Sequence, residues 1–148
     1  MENFSSEISE NVLDYILGGD ACFCVKQTDE NGTKECWYSV RQNHNSQRMY
    51  FVSLVERNKN KYLGYFYSND IGQLRNLTVK SKQPEAGAEY ALPFIRVLNR
   101  LKTHDGRLWS GVTIVSDGRC SKCGRRITDP ESIRYGLGPK CRERLGLK

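Results

Sequence analysis

Three of the chain's six cysteines carry its clearest chemical signature. Cys120 and Cys123 stand two residues apart and are followed by Gly124, while Cys141 follows Gly138-Pro139-Lys140. A Cys-x-x-Cys pair before glycine makes a tight turn that aims two sulfurs at one ion and lets backbone amides approach them. Proline at a first helical position, preceded by glycine, launches a helix that brings a third sulfur in on its first turn. The start of that helix also favours thiolate charge. The chemistry expected of such a set is structural metal binding, with zinc as the ion, and not catalysis.

Structural zinc takes four ligands, and the position three residues after the third cysteine is Arg144, which cannot coordinate. The fourth ligand is therefore expected from elsewhere. His104, Asp129, Cys22 and Cys24 are the candidates, and a water in the fourth position would imitate a catalytic site. Asp129 has a competing role, because it precedes Pro130 and can cap a short helical turn between the two halves of the knuckle. A thioredoxin-like redox reading of Cys-x-x-Cys is disfavoured, since that chemistry needs a helix starting at the pair, and Gly124-Arg125-Arg126 follows instead.

The charge is uneven along the chain. Residues 1–95 hold ten Lys and Arg against twelve Asp and Glu, a net of −2, and residues 96–148 hold thirteen against five, a net of +8. Arg119, Lys122, Arg125 and Arg126 crowd the knuckle, and Lys140, Arg142 and Arg144 follow on the helix of Cys141. A dense local excess of this kind around a metal module is the electrostatic footprint of a polyanionic partner, either nucleic acid or a nucleoprotein complex. Trp37, Tyr38, Tyr65 and Tyr67 could stack on bases if exposed, although core and cross-strand packing is the commoner fate of such residues. Catalysis is not expected. The two histidines, His44 and His104, sit in no triad or metal-hydrolase spacing, and there is no glycine-rich phosphate loop.

The elements that must position these residues read as an α+β fold. Ser5 or Ser6 can cap a first helix with Ile8, Val12, Leu13, Ile16 and Leu17 on one face, stopped by Gly18-Gly19. Four β-rich runs follow, 21–28, 33–42, 49–57 and 62–67, separated by turn signals at 29–32, 43–46 and 58–60, and they predict an antiparallel meander. The third run is apolar on both faces, as for a central strand covered on both sides. If Asn31-Gly32 is a type I′ turn, Glu30 pairs with Thr33. Cys22 and Cys24 then share a face with Trp37, Ser39 and Arg41, and Cys36 lies on the other with Phe23 and Tyr38. These three thiols cannot form one site within the sheet and are expected to act as small apolar residues, unless Cys22 or Cys24 completes the metal site.

The polar stretch KSKQPEAG marks the expected boundary, giving a helix-plus-sheet domain over 1–80, a linker over 81–88 and a helix-plus-knuckle module over 89–148. Within the module Pro93 opens a linking helix to about Lys102 with Phe94, Ile95, Leu98 and Leu101 on one face, and 108–115 reads as a short strand. No run approaches the roughly 18 apolar residues of a membrane span, and the N-terminus lacks the basic and apolar regions of a signal peptide. A cytoplasmic protein with reduced thiols is expected.

The run Gly118-Arg119-Cys120-x-x-Cys123-Gly124-Arg125-x-x-Thr128-x-Pro130-x-Ser132-x-x-x-Gly136-x-Gly138-Pro139-x-Cys141 resembles an uncharacterised zinc-ribbon-like, or treble-clef-like, family of phage and bacterial proteins. Tyr50-Phe51-Val52-Ser53-Leu54 and Tyr62-Leu63-Gly64 are similar to that family's usual N-terminal partner. Members often carry a histidine shortly before the first knuckle cysteine, where this chain has residues near Ser116. The resemblance implies a C-terminal treble-clef-like knuckle and a viral setting, as a replication accessory or an inhibitor of a bacterial defence system. Two functions are therefore expected: non-catalytic binding of nucleic acid or of a nucleoprotein complex, and, as the alternative, docking on a defence nuclease.

Overall fold

The computed structural model describes residues 7–56, 59–75, 94, 96–101 and 111–146. Its elements are α1 (Val12–Ile16), β1 (Asp20–Asp29), β2 (Gly32–Asn43), β3 (Ser46–Glu56), β4 (Lys59–Tyr67) and β5 (Asp70–Arg75), then α2 (residues 94 and 96–101), β6 (Val112–Ser116), α3 (Pro130–Tyr135) and α4 (Pro139–Arg144). The strands form one antiparallel sheet in the order β5-β4-β3-β2-β1-β6. The fold is α+β, with an antiparallel sheet and a cysteine cluster near the C-terminus. The expected linker at 81–88 lies outside the described residues.

The meander β1 to β4 follows the β-rich runs, but its first turn differs from the type I′ form. Asp29 pairs with Gly32, so Glu30 and Asn31 are the loop and the register is displaced by two residues. A type I′ turn needs positive φ at both central residues. Here the Asp29 carboxylate accepts the Asn31 amide at 2.8 Å, and positive φ falls on Gly32 at 118°. A two-residue displacement preserves faces. Cys22 pairs with Ser39 and Cys24 with Trp37, whereas Val25 pairs with Cys36 and Phe23 with Tyr38. The second turn repeats the device at the expected place, with the Asn43 side chain accepting the Asn45 amide at 2.8 Å. β4 begins at Lys59, earlier than expected, and β5 extends the meander by a strand that its sparse apolar content did not announce.

One face of the sheet carries the main core. Phe23, Tyr38, Val40, Tyr50, Val52, Leu54, Phe66 and Ile114 are buried there with Phe94, Val97, Leu98 and Leu101 of α2. Phe94 is the hub, its ring centroid 6.3 Å from Phe23, 5.3 Å from Tyr38 and 6.0 Å from Phe66. The expectation that β3 is covered on both sides holds fully for one side and in part for the other. Tyr50, Val52 and Leu54 are buried, and on the opposite face Met49 is buried while Phe51, Ser53 and Val55 are half-buried.

The first helix is shorter than its apolar periodicity suggests, and the reason lies in the backbone. The amide of Ile8 donates to Ile114 O, and the amides of Ser9 and Glu10 both donate to Arg134 O. Residues 7–10 are thus committed to the free edge of β6 and to the end of α3, which also shields a sheet edge. Ser5 and Ser6 lie outside the described residues, and the helix opens instead at Asn11, whose φ of 50° is left-handed. Tyr15 is buried and donates its hydroxyl to Cys22 O at 2.9 Å, while Tyr50 donates to Leu17 O at 2.9 Å. Burial holds both phenols above their usual pKa, so they remain donors.

Gly136, with φ of 68°, lies where an added Cβ would come within 2.7 Å of Ile8 Cδ1 and closer still to the Tyr15 ring. Gly118 has a similar φ of 84° with nothing near its missing Cβ. Gly118→Ala should therefore cost about 1–2 kcal/mol from backbone conformation alone. Gly136→Ala should cost more by a further 1–3 kcal/mol of overpacking. Urea denaturation of the two variants measures the difference, and equal costs would contradict the wedge.

Candidate metal centre

The knuckle starts where β6 ends. Ser116 Oγ accepts the Gly118 amide at 3.1 Å and the Asp117 carboxylate accepts the Arg119 amide at 3.1 Å, turning the chain out of the sheet. A miniature hairpin follows, closed by Ile127 N to Gly118 O at 3.0 Å and Cys120 N to Arg125 O at 2.8 Å, with Cys120 and Cys123 at its tip. Gly124, with φ of 80°, supplies the left-handed turn after the pair.

The expected capping role of Asp129 is realised. Its carboxylate accepts the Ser132 amide at 3.0 Å at the start of α3, Pro130 takes the first turn, and Gly136 closes the helix. That hydrogen bond holds the Asp129 carboxyl below the usual range. Pro139 then opens α4, which carries Cys141 inward. Gly138 is extended, and a side chain there would meet nothing within 4 Å, so no conformational need explains that glycine. Its contribution is the amide, which donates to Cys120.

The sulfurs of Cys120, Cys123 and Cys141 all lie within 4.8 Å of one another. Among the described residues no other His, Cys, Asp or Glu joins them. A tetrahedral zinc ion with Zn–S near 2.3 Å needs sulfurs about 3.8 Å apart, so the three side chains, within 4.8 Å of one another, fit a metal with adjustments of about an ångström at most. The site is also built for negative charge. Burial opposes ionisation of Cys120, but the amides of Gly138, Cys123 and Lys122 outweigh it and hold that thiol below its ordinary pKa. The Lys122 amide lies 3.4 Å from Cys120 Sγ. Burial and the neighbouring sulfurs of Cys120 and Cys123 push the Cys141 thiol up to about 12. Without a cation the three sulfurs cannot all be thiolates at neutral pH, and a bound metal would supply the missing positive charge. These three residues could hold a metal ion.

The remaining candidates fall elsewhere. Asp129 is occupied as a cap. Cys22 and Cys24 lie on β1, on the sheet face away from the main core, and burial pushes both thiols up to about 11. His104 is outside the described residues. All six cysteines are free thiols.

Of the seven basic residues, Arg119, Lys122, Arg125, Arg126, Lys140 and Arg144 are exposed. None of these six forms an ion pair among the described residues. Arg142 is different. It is 8% exposed, its guanidinium lies 5.2 Å from the centre of the Tyr135 ring, and it braces α4 against α3 instead of facing solvent. Of the four aromatic candidates, Tyr38 is fully buried, and Trp37, Tyr65 and Tyr67 are half-buried on the opposite face.

Sequence reasoning missed the seam that joins the knuckle to the rest of the chain. Asp20 N donates to Ser121 O at 2.7 Å, Ser121 N donates to Gly136 O at 3.1 Å, and Gly18 sits so close to Ser121 that a Cβ there would collide with its hydroxyl. Gly18 looked only like a helix stop. Gly136 was accessible in principle, because a glycine six residues after a Pro-initiated helix start is a C-cap signal.

Residues 115–146 match a family of unknown function, DUF6011. No curated protein and no solved structure matches the chain. Among the described residues no helix is long and apolar enough to cross a membrane.

Asp129→Ala should destabilise the protein by about 1 kcal/mol through loss of the cap, with metal content per chain unchanged. Asp129→Asn should retain most of that stability. A fall in bound metal in the alanine variant, measured by elemental analysis, would make Asp129 a ligand instead. Because the folded carboxyl is held low, the cap's contribution is present above the unfolded pKa of about 3.9 and fades as the pH falls through the folded value.

Proposed function

We propose that this chain is a zinc-stapled, non-catalytic nucleic-acid-binding protein, in which a treble-clef-like knuckle displays a basic surface to a phosphate backbone. The observation that carries the reading is the set of six exposed cationic side chains around one candidate metal site, none of them in an ion pair among the described residues, with Arg119 donating only to Gly124 O at 3.4 Å. A cation committed to structure is normally paired or stacked, as Arg142 is over Tyr135 and Arg134 is with Glu131. These six are held out by a turn and a helix whose positions the three sulfurs define, which pre-arranges them at little entropic cost. Zinc is the natural ion for three thiolates in an amide-lined turn, two of them buried and Cys123 exposed, and its role is to hold the turn. The fourth ligand is a proposal of the same kind: it comes from His104, from solvent or from a bound partner.

Neutralising four phosphates predicts that affinity for a single strand falls about 50-fold between roughly 50 and 200 mM salt. Arg125→Glu with Arg126→Glu should flatten that dependence while leaving zinc content at one per chain. Titration by fluorescence anisotropy across salt concentrations is the test. Absence of binding to any nucleic acid at low salt would overturn the reading, and would turn attention to an acidic protein surface as the partner of the same cations.

A further inference from the structure

The sheet face opposite α1 and α2 takes no part in the main core or in the metal centre, yet it is not the polar face that a simple two-layer fold would present. Arg41 pairs with Phe51, Phe51 with Tyr65, and Met49 with Tyr67, while the alternate residues Val40 and Val52 point into the core. Trp37 lies on the same face, two residues from Ser39. Trp37, Phe51, Tyr65 and Tyr67 are half-buried, and the rings of Tyr65 and Tyr67 meet edge-on with centroids 5.7 Å apart. Cys24, Ser39 and Met49 on this face are buried beneath its larger side chains, and the four rings keep part of their surface in solvent, which leaves ring area available for stacking.

A cleft of 270 Å³ opens on this face and joins it to the knuckle. Cys22, Ser39, Arg41 and Val55 line it from the sheet, and Asp117, Arg119 and Gly124 line it from the knuckle turn. None of the four rings lines the cleft, but Arg41, the cross-strand neighbour of Phe51, and Arg119 of the knuckle both do, so the cleft is where the aromatic face and the basic turn approach each other. On the cleft wall Asp20 is ion-paired with Arg41 at 3.4 Å and one Asp117 oxygen accepts the Arg119 amide at 3.1 Å, and the lone pairs left over suit the amino and ring N–H groups of a base edge and repel phosphate. That division of chemistry separates bases from backbone: bases toward the sheet, phosphates toward the knuckle.

A duplex cannot use such a surface, because its base faces are stacked inside the helix and only base edges and phosphates are available. A single strand exposes both the charges and the π-faces, and every base has a face to stack. Resting on the nucleic-acid reading given above, we propose that the ligand is single-stranded nucleic acid. Its phosphates lie along Arg119, Arg125 and Arg126, its bases lie against Phe51, Tyr65 and Trp37, and one base edge enters the cleft between Arg41 and Arg119.

The test uses the full zinc-loaded chain and fluorescein-labelled strands of about 12 nucleotides. The same mixed sequence is supplied as single-stranded DNA, as single-stranded RNA and as blunt DNA duplex, at about 50 mM salt. At least one of the single strands should bind tenfold or more tighter than the duplex, and the ratio of the two single strands identifies DNA or RNA as the source. Tyr65→Leu should lower single-strand affinity roughly fivefold or more and leave duplex affinity unchanged, with Tyr65→Phe restoring it. Arg41→Gln, which removes the charge at an exposed rim position and gives up only the surface ion pair with Asp20, should weaken single-strand binding even if the leucine variant folds poorly. Duplex binding equal to or tighter than both single strands, with Tyr65→Leu inert on all three, would overturn the single-strand inference and leave the basic knuckle standing. Binding of none of the three would overturn both.

Discussion

Three sulfur atoms within 4.8 Å of one another impose the constraint on which the C-terminal third depends. Three thiolates that close repel, three neutral thiols waste the amides aimed at Cys120, and a cation resolves the conflict. A hairpin of ten residues and two six-residue helices have too little apolar surface to stand alone. The knuckle's own core is Ile127, Tyr135 and Leu137 with two of the cysteines. Neighbour contacts, and a metal if these sulfurs hold one, would supply what that small core cannot.

The neighbour contacts are unusual in being mostly backbone. Arg134 O receives two amides from the N-terminal segment, Ser121 bridges Asp20 to Gly136, and Tyr15 fills the space that Gly136 leaves open. The chain's first described residues thus clamp its last. Because β6 is hydrogen-bonded to β1, the knuckle is rooted in the sheet on one side and clamped by residues 8–20 on the other. A turn fixed at both ends can present Arg119, Arg125 and Arg126 in a defined direction, and that direction borders the aromatic sheet face through the cleft.

Much of this was legible in the sequence, and the reasons differ by element. Strand runs with Asn and Asp turns, the Cys-x-x-Cys-Gly turn, the Asp129-Pro130 cap and the Pro139 helix start are local signals, decided by residues within a few positions. The Gly32 register was misread because Asp29 captured the Asn31 amide, which left positive φ on Gly32 alone and made Glu30-Asn31 the loop. β5 was not legible because DIGQLR has few apolar residues, although its partner β4 is next to it in the chain, and the clamp was not because it depends on partners far along the chain. Nothing local in Ile8-Ser9-Glu10 says that their amides serve Ile114 and Arg134, and so helical periodicity was extended too far toward the N-terminus. Arg142 shows the same limit: its type and spacing match the exposed arginines, and only the position of Tyr135 makes it structural.

If the three sulfurs hold a metal as proposed, the knuckle and the N-terminal segment form one cooperative unit. Native-state hydrogen exchange of the zinc-loaded protein, before and after chelation, tests it most directly. Removing the metal should release the amides of Ser9, Glu10 and Asp20 together with those of Ser121 and Gly136, while amides in β2 and β3 stay protected. Loss of protection confined to residues 118–146, with Ser9, Glu10 and Asp20 unchanged, would contradict it.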